Sequence, residues 1–247
     1  MLEDVVDISS IILTLMVLIV ATYYDLKFRE INPWLWVPFI AFGTVFTVYK
    51  LLLGVLDVII IMFSLIAPLT TLLLTYVGLI GGADFLALLS IALLMPKCPD
   101  ILGFSLLPPS LVILAYSVFI MVGISLGIAI INILLYRNEL KRVPRRLRIL
   151  YLFTALPLRV NTILNTKFWF LLEIPWENKF RATFDINEDP SKHREVLSKK
   201  LNERAIEDVT RIWSTWGIPH IALYFLGFLI FLALKDNILL RIITTII

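Results

Sequence analysis

The chain has 247 residues, of which 60% are hydrophobic and 17% charged, with a formal net charge of +3. Its mean hydropathy of +0.92 is far above that of soluble globular domains, so the composition excludes an ordinary soluble protein and indicates a polytopic membrane protein. The single cysteine, Cys98, excludes an internal disulfide and a cysteine metal cluster.

Six apolar runs are candidate membrane spans, which predicts a mainly α fold with six transmembrane helices. A spanning helix needs about 17 to 25 apolar residues, and only the fourth run is shorter than this. Acidic residues stand ahead of the first run, so we expect that run to span the membrane and not to be a cleaved signal. The runs are Ile8–Tyr24, Pro33–Tyr49, Val58–Ile80, Asp84–Met95, Ser110–Tyr136 and Ile218–Leu234.

Two carboxylates lie beside these apolar runs. Asp25 ends the first run, and Asp84 follows 26 uncharged residues that close with Gly81, Gly82 and Ala83. Because an ionised side chain is costly inside a bilayer, acids placed in this way indicate a functional site. Two carboxylates that share one proton can hydrolyse a peptide, since the protonated acid polarises the carbonyl and the ionised acid activates water. We expect neither a metal nor a cofactor.

The basic residues predict the orientation in the membrane. If the six spans alternate, 18 of the 22 Lys and Arg residues lie on the side that holds the long segment 137–217 and both aspartates. Basic loops stay cytoplasmic, so we expect a plasma-membrane protein with its active site toward the cytoplasm and both termini outside. The basic run Arg137–Arg148 favours contact with anionic lipid, and we expect no nucleic-acid partner.

We expect three regions along the chain. Residues 1–136 form a membrane domain with helices 1–5, residues 137–214 form a small cytoplasmic α+β domain between helices 5 and 6, and residues 215–247 form helix 6 and an interfacial tail. Within the cytoplasmic domain, the loose alternation of Phe180–Ile186 predicts a strand, and the apolar spacing of Pro190–Val209 predicts a helix.

His220 precedes the last apolar run at a depth close to that of the two aspartates. It can tune their protonation, or it can form an ordinary hydrogen bond at the membrane interface. The sequence leaves both interpretations open.

Two motifs carry a resemblance to a known family. The sequence DLKFREINPWLW, which begins at Asp25, and the sequence GGAD, which ends at Asp84, resemble the two aspartate motifs of prepilin peptidases. The similarity is closest to the archaeal preflagellin peptidases, and IWSTWGIPHI before the last run is a third similar stretch. The resemblance implies a membrane aspartic protease of the G-x-G-D class, with Asp25 and Asp84 as its catalytic pair and no metal.

The resemblance also implies a substrate. Members of the family remove short basic leader peptides from preflagellin and type IV pilin-like precursors at the cytoplasmic face. Two departures are visible, since Ala83 replaces the second glycine of the motif and Leu86 replaces a frequent lysine. The chain has no cysteine-rich loop, so we predict cleavage without N-methylation.

Two other classes remain open from the sequence. A small transporter could use Asp25 and Asp84 to carry protons or cations. The absence of an internal repeat and the position of both acids toward one face argue against it. A structural membrane scaffold would gain nothing from two acids at membrane depth.

Overall fold

A computed structural model describes residues 2–185 and 188–246. Helices dominate, and the chain divides into two compact units, Met1–Ile120 with Pro219–Ile247 and Met121–Ile218. In chain order the elements are α1 Leu2–Phe28, α2 Val37–Leu52, α3 Val58–Ser64, α4 Ile66–Tyr76, α5 Gly82–Leu94, α6 Pro109–Leu135, α7 Arg137–Arg142, α8 Arg145–Thr154, β1 Leu156–Arg159, α9 Val160–Asn165, β2 Trp169–Leu171, β3 Glu173–Ile174, β4 Lys179–Phe180, α10 Pro190–Asn202, β5 Arg211–Trp216, α11 His220–Leu234 and α12 Asn237–Ile246.

Within the described residues, four helical stretches are long and apolar enough to cross a membrane: Glu3–Phe28, Pro33–Leu52, Val58–Tyr76 and Pro109–Leu135. A fifth is counted only if α11 and α12 are taken together, although the chain bends by 84° between them. The mainly helical prediction is therefore confirmed, with four or five candidate spans, but six spans are not confirmed. The reason is length, because α5 has 13 residues and α11 has 15, below the usual minimum of about 17.

The core of the first unit surrounds α5. This helix packs against α2 and α4, while α1 packs against α11. Leu88, Ile91 and Leu94 of α5 are fully buried and join a single apolar cluster with residues of α1 and α11. A helix that is apolar on all faces is stable only when it is surrounded, and this places α5, which carries Asp84, inside the unit.

Charged side chains are also buried in the first unit, far along α1 from Asp25. Asp7 and Lys50 form an ion pair in which both side chains are almost fully buried. The second carboxylate oxygen of Asp7 accepts the N–H of Asp100 at 2.9 Å. Eighteen residues of helix separate Asp7 from Asp25, which corresponds to about 27 Å. A paired and hydrogen-bonded acid of this kind is tolerated in an apolar core, and it ties α1 to α2 at this end.

The second unit contains a small antiparallel sheet with strand order β1-β5-β2 and a separate β3-β4 hairpin. Asn132, near the end of α6, is fully buried and donates its side-chain N–H groups to the carbonyls of Tyr151, Leu152 and Ala155. These carbonyls lie at the end of α8, where the last carbonyls of a helix lack an N–H partner from a following turn. The amide of Asn132 therefore terminates α8 in the position from which β1 begins.

The predicted elements of this region are only partly correct. The strand predicted over Phe180–Ile186 is wrong for most of its length, because the strand ends at Phe180 and residues 181–185 are irregular, while Ile186 lies outside the described residues. Irregular backbone here is held by side chains, since Arg181 bonds the carbonyl of Leu171 and the carboxylate of Glu188. The helix predicted over Pro190–Val209 is present but ends at Asn202.

A close approach of backbones holds α2 against α5 at Gly43. A Cβ atom at this position would lie 2.8 Å from the backbone nitrogen of Leu94 and 2.8 Å from the Cβ of Leu93. One turn later, the hydroxyl of Thr47 donates to the carbonyl of Leu93 at 2.6 Å. Small residues and hydroxyl hydrogen bonds of this type are the usual means of packing helices in a membrane.

We predict opposite effects of the same substitution at two helical glycines. Gly43→Ala should destabilise the protein by about 1–3 kcal/mol, because the added methyl group forces α2 and α5 apart. Gly123→Ala in α6 should be neutral or stabilising by up to about 1 kcal/mol, because alanine favours the helix and no atom lies within 4 Å of the new Cβ. The midpoint of thermal unfolding in detergent would measure both. Equal effects at the two positions would contradict the packing argument.

Candidate active site

Asp25 lies in the last turn of α1, and its residue surface is only 9% exposed. One carboxylate oxygen, Oδ2, accepts the backbone N–H of Ile221 at 3.0 Å, and the other, Oδ1, lies 3.6 Å from Nη1 of Arg29. Ile221 belongs to the first turn of α11, where N–H groups have no partner inside the helix and the helix dipole favours an anion. Burial lowers the pKa of the Arg29 guanidinium, and the nearby carboxylate of Asp25 partly offsets this by raising it. Asp25 is therefore a buried acid with a helix terminus and a guanidinium as partners.

Asp84 lies in the first turn of α5 and is 5% exposed. Its Oδ2 atom accepts the backbone N–H of Gly81 at 3.0 Å, so the carboxylate reaches back to the residue that caps its own helix. The Oδ1 atom is buried and has no hydrogen-bond partner among the residues that the structure describes. A buried carboxylate oxygen without a partner costs free energy, and such an atom marks a place where water or a substrate group is bound.

The loop before Asp84 turns at a different glycine from the ones in the motif. Gly78 has a φ of +76°, and the N–H groups of Gly78 and Leu79 donate back to the carbonyls of Thr75 and Leu74, which ends α4 in a Schellman motif. Gly81 has an ordinary φ of −81°. The tight turn is therefore made at Gly78, whereas a Cβ at Gly82 would meet no atom within 4 Å beyond its own helix backbone and chain neighbours.

The start of α11 brings further groups to the two acids. Nδ1 of His220, the first residue of α11, lies 3.6 Å from Oδ2 of Asp84. Tyr224, one helical turn later, is 4% exposed and its hydroxyl interacts with the carboxylate of Asp84. The two carboxylates are themselves close enough to interact electrostatically. The structure thus assembles Asp25, Asp84 and His220, the three side chains that the sequence placed at similar depth.

Two contributors were not identified from the sequence. Tyr224 stands within an apolar helix, where a tyrosine suggests an ordinary core residue; its spacing of four from His220 was the available signal. The role of the backbone N–H of Ile221 cannot be read from the residue type, because every residue except proline supplies this group. No group of three or more His, Cys, Asp or Glu side chains in 2–185 and 188–246 is arranged to hold a metal ion.

The arrangement is suited to proton transfer. It contains two buried carboxyls, one imidazole and one phenol, all in the first unit, and each of the other three groups interacts with Asp84. Groups of this kind exchange protons with each other and with a bound water, which is the requirement for general acid–base catalysis. A covalent nucleophile activated by a base, such as a serine beside a histidine, is not part of this cluster.

Comparison with protein-family models gives a match in the C-terminal part of the chain. Residues 147–237 match the family model Archaeal Peptidase A24 C-terminus Type II. The matched region covers less than half of the chain; it includes His220 and Tyr224 and excludes both aspartates. No curated protein matches the sequence. The motifs around the aspartates and the matched C-terminal region are separate parts of the chain, and both are similar to the archaeal prepilin and preflagellin peptidases.

Proposed function

We propose that this protein is a membrane aspartic endopeptidase that removes the short basic leader peptide from preflagellin or type IV pilin-like precursors. Asp25 and Asp84 are its catalytic pair. The observation that carries the proposal is the meeting of two buried carboxylates, one from α1 and one from α5, at the N-terminus of α11. The peptidase match in the C-terminal region supports the same reaction class.

The proximity of the two acids supports a shared proton. Like charges that interact in a desolvated site do not both ionise readily, so one carboxyl keeps its proton while the other is ionised. The ionised carboxylate takes a proton from a bound water as that water attacks the scissile carbonyl carbon. The protonated carboxyl donates its proton to the carbonyl oxygen, and collapse of the tetrahedral intermediate returns a proton to the leaving amine.

The location of the reaction is part of the proposal. We place the chain in the plasma membrane, with the site toward the cytoplasm and the termini outside, because Lys27 and Arg29 come just after Asp25 and the basic run Arg137–Arg148 comes just after α6. The segment 137–214 acts as a cytoplasmic domain, and its exposed Arg145 and Arg146 lie where anionic lipid headgroups would meet them. Gly81, Gly82 and Ala83 present Asp84 at the start of α5, where Gly81 donates its N–H to the carboxylate.

The reaction and the pair are tested together by a cleavage assay. Purified protein in detergent is mixed with a type IV pilin-like precursor, and the new N-terminus is read by mass spectrometry. We expect one cut just after the basic leader. Asp25→Asn and Asp84→Asn should each lower the cleavage rate by at least about 100-fold, because each removes one half of the proton exchange.

Asp57→Asn is the matched control, since Asp57 is an exposed acid at the start of α3. It should cleave at the wild-type rate, and all variants should keep the wild-type thermal midpoint. Full activity of either site variant would overturn the pair. If folded wild-type protein cuts none of several archaellin and pilin precursors, the transporter hypothesis is favoured instead.

A second prediction concerns pH and metal removal. Because the pair works with one proton bound, the cleavage rate should fall at both acidic and basic pH and pass through a maximum between them. Addition of a metal chelator should leave the rate unchanged, because the mechanism uses only carboxyl groups and water. A rate that rises continuously with pH, or activity that a chelator abolishes and added metal restores, would contradict the mechanism.

A further inference from the structure

The first turn of α11 contacts both acids. It holds Asp25 through the backbone N–H of Ile221 and approaches Asp84 through the imidazole of His220. The two acids come from helices α1 and α5, which are 59 residues apart in sequence when counted from Asp25 to Asp84. A shared contact of this kind fixes the position of one carboxylate relative to the other.

The turn itself is firmly held. Ile221, Tyr224 and Phe228 lie on one face of α11, are at most 4% exposed, and belong to the apolar cluster of the first unit. Farther along the helix, a Cβ at Gly227 would lie 2.7 Å from the carbonyl oxygen of Ile113 in α6, so the two backbones are in close contact. Side chains on a rigid and buried helix can hold a reacting group in place more accurately than side chains on a loop.

The two side chains of α11 act on the same carboxylate. His220 lies at Oδ2 of Asp84, the oxygen that also accepts the N–H of Gly81, while Oδ1 has no hydrogen-bond partner among the described residues. Tyr224 approaches the same carboxylate from the next turn of α11. The contacts of Gly81 and His220 with Oδ2 restrict rotation of the carboxylate and leave Oδ1 available to water or substrate.

We propose that His220 and Tyr224 are positioning residues for Asp84, so that the first two turns of α11 orient both members of the catalytic pair. The inference rests on the proposed peptidase function. Neither side chain is required to touch the substrate. Each acts through the Asp84 carboxylate, and misplacement of a reacting group by about 1 Å can reduce a rate by about 100-fold.

The test uses substitutions that separate hydrogen bonding from size. His220→Asn places an amide N–H near the position of Nδ1, whereas His220→Leu has similar bulk and no donor. Tyr224→Phe removes only the hydroxyl. Tyr116→Phe is the matched control, because Tyr116 is also buried but its hydroxyl donates to the carbonyl of Lys235, away from the acids.

We expect His220→Leu to lower kcat for precursor cleavage by about 100-fold, with little change in KM, because the contact affects the reacting group and not substrate binding. His220→Asn should retain kcat within about 10-fold of the wild type, since it keeps a donor at the position of Nδ1. Tyr224→Phe should lower kcat by about 10-fold, because it removes the hydroxyl that interacts with the Asp84 carboxylate while the ring stays in the core. Tyr116→Phe should leave kcat unchanged.

Three results overturn the inference while the proposed function stands. They are an unchanged kcat in both His220→Leu and Tyr224→Phe, an effect confined to KM, and a His220→Asn variant as inactive as His220→Leu. Tyr224→Phe preserves the shape of the core, so it remains informative if His220→Leu does not fold. A wild-type protein that does not cleave, or Asp25→Asn and Asp84→Asn variants that still do, overturns the proposed function and this inference together.

Discussion

The structure of the first unit depends on the burial of two carboxylates in an apolar helical core. Burial of an acid is unfavourable unless donors and positive charge surround it. Asp25 receives a helix N-terminus and Arg29, and Asp84 receives the N–H of Gly81 and the imidazole of His220. These partners come from the ends of α1, α5 and α11, so the packing of three helices is set by the need to surround the two acids. The same packing leaves Oδ1 of Asp84 without a hydrogen-bond partner among the described residues, and this is the atom available for reaction.

The sequence predicts the parts of this arrangement that composition controls. Long apolar runs give the helices of the first unit, and the rarity of acids among them identifies Asp25 and Asp84. It does not predict helix ends that depend on tertiary contacts. α8 ends where the buried amide of Asn132 donates to the carbonyls of Leu152 and Ala155. Local periodicity does not show this contact, nor the side-chain bonds of Arg181 that hold the backbone after Phe180 in an irregular conformation.

In the candidate site, too, residue identity predicts some of the residues and only tertiary packing reveals the others. Asp25, Asp84 and His220 are unusual residues at similar depth, so residue identity alone brings them into consideration. Tyr224 cannot be distinguished in the sequence from an ordinary core residue, because its neighbours in α11 are apolar. Its interaction with Asp84 depends on how α11 is rotated about its axis. The rotation follows from the buried face of Ile221 and Phe228, which only the assembled core defines. Side chains that act through another residue are in general harder to predict than those that react.

The hydrogen bond from Ile221 to Asp25 comes from the main chain, and this separates its function from its side chain. Any residue at position 221 supplies the same N–H, with proline as the exception. Among proteins with this site, position 221 can therefore exchange one apolar side chain for another while the contact with Asp25 persists. A ranking of positions by invariance would overlook it. Selection for this contact would show only as the absence of proline at position 221.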